Sequence, residues 1–164
     1  MFLLFLLSAL GLVVSLGIHL YTFLPGSGVE KYVVWEMYIC IYPLFFYMLY
    51  KLGNDKAALR YISFIPEKTR RWMFRMNVAF YIYAIVNVAM LVVHIGHGWV
   101  EIWGENYVRR IYGRELVVFL ITDTEYHQAL AEGVRYFSGH WIFFYSLPMT
   151  AFFVYWRGQK QPTP

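Results

Sequence analysis

A chain of 164 residues that is 60% apolar and 21% aromatic, with positive mean hydropathy, lies well outside soluble composition and reads as an integral membrane protein. Its formal charge of +4 comes from basic residues concentrated beside apolar segments, so the charge is a topology signal and argues against a nucleic-acid partner. The single Cys40 excludes a disulfide framework or a thiol cluster for zinc or iron–sulfur.

A bilayer-spanning helix needs about 20 mainly apolar residues, and four stretches meet this in chain order. The first covers about 2–24. It lacks a basic start and a small-x-small cleavage site, so it reads as a mature helix rather than a signal peptide. It stops at Pro25-Gly26-Ser27-Gly28. The second, about 33–50, carries Glu36 near one end, Tyr38 beside it, and Pro43 in its middle, where a kink is expected.

Lys51, Lys56, Arg60, Lys68, Arg70, Arg71 and Arg75 follow, opposed only by Asp55 and Glu67. By the positive-inside rule this loop and both termini face the cytoplasm of a cell-membrane protein. Pro66-Glu67 is placed to open the third helix, whose apolar span runs over about 76–100. The stretch from 99 to 136 holds only LVVFLIT as an apolar core, too short to span, and reads as a long outer re-entrant or interfacial element, partly helical. The fourth span is about 137–156. The expectation is therefore an all-α, four-helix transmembrane bundle forming a single domain over 1–164. Its many aromatic side chains exceed what so small a bundle can bury, which implies other membrane subunits and the lipid bilayer as partners.

This topology puts His19, His94, His97, His127 and His140 on the outer side. His94, His97 and Glu101 share a helical stripe, and Asp123 and His127 share a face if their segment is helical. Two chemistries use such sets. Copper takes two to four neutral imidazoles, often with a carboxylate. A b-type haem takes two imidazoles facing across a bundle, here drawn from His19, His94, His97 and His140, with Glu36 or Tyr38 near a quinol pocket. A cofactor-free accessory subunit, its polar groups simply hydrogen-bonded at the membrane border, is the third alternative. Neither a nucleophile elbow, a phosphate loop nor a zinc-protease motif is present.

The run Asp123-x3-His127-Gln128-x11-His140-Trp141, with FFYSLP shortly after, resembles the metal-ligand signature of the C subunit of copper membrane monooxygenases, the methane and ammonia monooxygenase family. The resemblance implies a copper-binding membrane subunit of an oxidoreductase, with Asp123, His127 and His140 as ligands. In the family the aspartate closes a transmembrane helix, whereas here only LVVFLIT precedes it.

Overall fold

A computed structural model describes residues 1–24, 27, 32–55, 58–96, 98–112 and 116–160. His97 and most of the Pro25–Gly28 turn lie outside them. The elements are α1 (Phe2–Tyr21), α2 (Tyr32–Asn54), α3 (Ala58–Ser63), α4 (Glu67–Gly96), β1 (Trp99–Trp103), β2 (Asn106–Tyr112), β3 (Leu116–Ile121) and α5 (Asp123–Gly158). Within α1, α2 and α4, residues 2–21, 33–54 and 67–94 are long and apolar enough to cross a membrane. Their outward faces expose bulky side chains such as Leu10, Ile39, Phe74 and Val92, the arrangement of helices that meet an apolar solvent.

α5 is the axis. Its 36 residues extend about 54 Å, and it packs most extensively on α1, then on α4 and α2, with α3 closing its C-terminal end. The reason lies in its composition: Ser138, Gly139, His140, Ser146 and Thr150 are buried among its neighbours, while large aromatics fill the remaining gaps. Trp141 and Phe152 are fully enclosed, and Tyr38 meets Trp141 edge-on at 6.0 Å. Small residues let helices approach closely. A Cβ added at Gly139 would lie 2.3 Å from Cγ of Asn87 on α4, and one at Gly11 on α1 would lie 2.1 Å from the Tyr145 ring.

Phe2 and Phe5 stack against Trp156, and Tyr61 packs on Tyr155. Both ends of the described chain and the basic segment after α2 therefore lie together, and the opposite end of the helices carries the sheet. α2 continues through Pro43 without interruption. α4 opens at Glu67, directly after Pro66 and nine residues before its expected apolar span.

The expectation of an all-α chain fails between 99 and 121. These residues form an antiparallel three-stranded sheet of order β1-β2-β3, with Trp103 opposite Asn106 and Tyr107 opposite Ile121. WVEIW, NYVRRIY and LVVFLI are β-branched and aromatic, and residues of that kind favour a pleated ladder over a helix. Gly104 turns the first hairpin with φ +63°, and Gly98 links α4 to β1 at φ +95°. α5 starts at Asp123, fourteen residues before the expected fourth span, because Thr122 and Glu125 close a capping box. The Glu125 carboxylate accepts from the Thr122 amide at 2.8 Å, while the Glu125 amide donates to the Thr122 hydroxyl at 3.2 Å.

Candidate functional site

His19, His94 and His127 lie around the N-terminal half of α5, toward the sheet-bearing end, while His140 stands at the middle of that helix. His19 is buried and uses both ring nitrogens. Nδ1 lies 3.1 Å from the Arg135 carbonyl and 2.8 Å from Oγ of Ser138, and Nε2 meets the Tyr83 hydroxyl. Ser138 donates to the same carbonyl at 2.9 Å. The pattern assigns the Nδ1–H tautomer, donating to α5 and accepting from Tyr83, and so ties α1, α4 and α5 into one knot.

One turn nearer the sheet, Arg135 binds the end of α1. Nη2 donates to the Thr22 carbonyl at 2.5 Å and the guanidinium lies 4.1 Å over the Phe23 ring, a cation placed where a helix leaves its last carbonyls unpaired. His94 of α4 reaches α5 at Glu132, with Nδ1 3.6 Å from the carboxylate, and its ring meets Tyr136 edge-on. Asp123 and His127 pair one helical turn apart, Oδ1 to Nε2 3.3 Å. The Tyr107 hydroxyl donates to Asp123, and that hydrogen bond to a carboxylate pushes the phenol above its ordinary value. The Thr122 backbone amide and hydroxyl hold the Glu125 carboxyl below its ordinary value.

Between the ends of α1 and α5 lies a cavity of about 500 Å³, lined by Thr22, Ser27, Asp123, His127, Glu132 and Arg135 among others. Its lining mixes apolar side chains with polar groups of both charge signs.

The ligand set Asp123, His127 and His140 is not brought together. All three sit on one unbroken helix, where thirteen residues separate His127 from His140 by about 20 Å, whereas ligand atoms must lie about 2 Å from a common metal. His140 is buried at 8% exposure, and its Nε2 has no hydrogen-bond partner among the described residues. Among those residues no group of three histidine, cysteine or acidic side chains converges as a metal site would require.

The haem pairing meets a different obstacle. His94 rests on the α5 backbone, since a Cβ at Gly133 would lie 3.7 Å from its Nε2. The cavity beside it holds about 100 Å³, well under the ~300 Å³ at which small-molecule sites begin. His19 has both nitrogens committed to hydrogen bonds. Glu36 on α2 is exposed.

Tyr83, Ser138, Arg135, Thr22 and Tyr107 carry this end of the molecule together with the histidines, and no motif marks them. Only an arginine adjoining an apolar span was a visible sign. The chain matches no protein-family model, no curated protein and no solved structure.

Proposed function

We propose that this chain is a multi-pass membrane subunit of a larger assembly, crossing the bilayer four times around α5 and docking a partner protein through its extramembrane sheet. Lipid accounts for the apolar faces of α1, α2 and α4. It does not account for the sheet.

The carrying observation is the apolar edge strand β3. Phe119 and Leu120 are exposed on opposite faces, Leu120 at 75%; by the register Ile102 shares the Phe119 face and Trp103 the Leu120 face, each 60% exposed. Tyr107, which pairs with Ile102, stacks on Tyr126. α4 ends near Glu132, through His94, so six residues of α5 set this surface about 9 Å beyond the helix ends. An exposed apolar strand with an unpaired edge is a liability in a monomer and a ready surface for strand addition or packing.

A photo-crosslinking residue in place of Leu120, activated in native membranes, is expected to yield one discrete heavier protein adduct. Adducts with lipid alone, or with a second copy of the chain, would overturn the reading.

A second reading, a copper ion held by Asp123 and His127, draws on their pairing in the lining of the same cavity. Two donors are short of the three or four such an ion takes, so the partner would supply the rest. Copper titration of the assembled complex, with His127→Ala as the comparison, tests it: equal uptake by both proteins ends this reading.

A further inference from the structure

At the end of the helices opposite the sheet, α2, α3, α4 and α5 enclose a cleft of about 290 Å³. Met48, Leu52, Ile65, Phe74 and Val154 make its wall apolar. The polar side chains within it are already engaged. Asn77 Nδ2 donates to the Met73 carbonyl at 3.0 Å and to Thr150 at 3.2 Å, and its Oδ1 accepts from Ser146 at 2.8 Å. The Thr150 hydroxyl donates to the Leu147 carbonyl at 2.9 Å, and the Tyr155 hydroxyl to the Lys51 carbonyl at 3.1 Å. Nothing inside calls for a polar ligand.

The exception is Arg70, which lines the cleft and is exposed. Among the described residues it has no ion pair, whereas its neighbour Arg71 lies 3.7 Å from Glu67. A guanidinium beside an apolar cleft, where apolar helices reach their basic end, matches an amphiphile with an anionic head. Arginine presents paired donors to phosphate oxygens. Lys68, Arg71 and Arg75 in the same turns draw anionic headgroups to this border.

We propose that the cleft holds an acyl chain of one anionic phospholipid, with its phosphate on Arg70. The inference rests on the helices crossing a bilayer, which recovery of the chain in the membrane fraction tests separately.

Native mass spectrometry of the detergent-purified full chain, offered phosphatidylglycerol and phosphatidylcholine with identical acyl chains, reads the site directly. The wild-type chain is expected to retain phosphatidylglycerol about fivefold over phosphatidylcholine. Arg70→Gln removes that preference while phosphatidylcholine retention stays, and Ala151→Phe, which fills the cleft, loses both lipids. Neither inorganic phosphate nor a free fatty acid displaces the bound lipid. Equal retention of the two lipids by the wild type, an unchanged preference in Arg70→Gln, or displacement by phosphate or fatty acid would overturn the proposal. Arg70 is exposed, so R70Q decides the matter even where A151F prevents folding.

Discussion

His19 spends its two nitrogens on groups 64 to 119 residues away, which is why no local pattern reveals its role. That His19, His94 and His127 fall toward one end of the helices was legible, because each lies near a helix end, whereas His140 stands in the middle of α5. That Tyr83 and Ser138 would hold His19 was not, since neither residue type is unusual in an apolar helix. Polar contacts between membrane helices contribute modestly, and Tyr83→Phe removes one donor without creating a void. It is expected to lower stability by about 0.5–1.5 kcal/mol, measured by unfolding of the purified chain in mixed micelles. An unchanged midpoint would mean the hydroxyl does not reach the imidazole. Gly139→Ala carries the larger cost, about 1–3 kcal/mol of overpacking, because its new methyl meets the Asn87 side chain.

At the scale of elements, the start of α5 and the sheet share one history. Thr122-x-x-Glu125 is a legible capping box, and WVEIW, NYVRRIY and LVVFLI, separated by Gly104 and Gly113, are legible strands. Both were obscured by measuring the segment against the length of a transmembrane helix, a ruler that does not apply to strands. The cap makes a signed prediction. Glu125 has its carboxyl held below the ordinary value of 4.5, so its contribution is fully present above that value and is lost as pH falls through the lower folded value. Amide exchange at residues 123–127 should therefore show protection, corrected for intrinsic exchange rates, that weakens on acidification below about pH 4.5. Thr122→Ala should remove about 1 kcal/mol of protection and weaken that pH dependence in part, since the Thr122 amide still donates to Glu125. An equally steep profile in the variant would remove the capping box from the account.

For the molecule as a whole, four apolar stretches were read from composition, of which three fall in helices long and apolar enough to cross a membrane among the described residues, while α5 as their axis could not be read from hydropathy alone. Its polar side chains lower its apolar character, yet they are the ones its neighbours bury: Ser138 on His19 and Ser146 on Asn77. The same continuous helix undoes the three-ligand metal set, because a spacing of thirteen residues that resembles a ligand motif becomes a long axial separation once no turn interrupts it. The proposed four crossings around α5 would leave the sheet on one side of the membrane and the termini on the other, and the proposed docking surface and lipid cleft rest on that division. Sidedness is thus the most direct test. In a Cys40→Ser chain, Glu105→Cys at the hairpin tip is expected to react with a membrane-impermeant maleimide in intact cells, and Gln159→Cys only after permeabilisation. Reaction of both, or of neither, in intact cells would contradict the four-crossing arrangement.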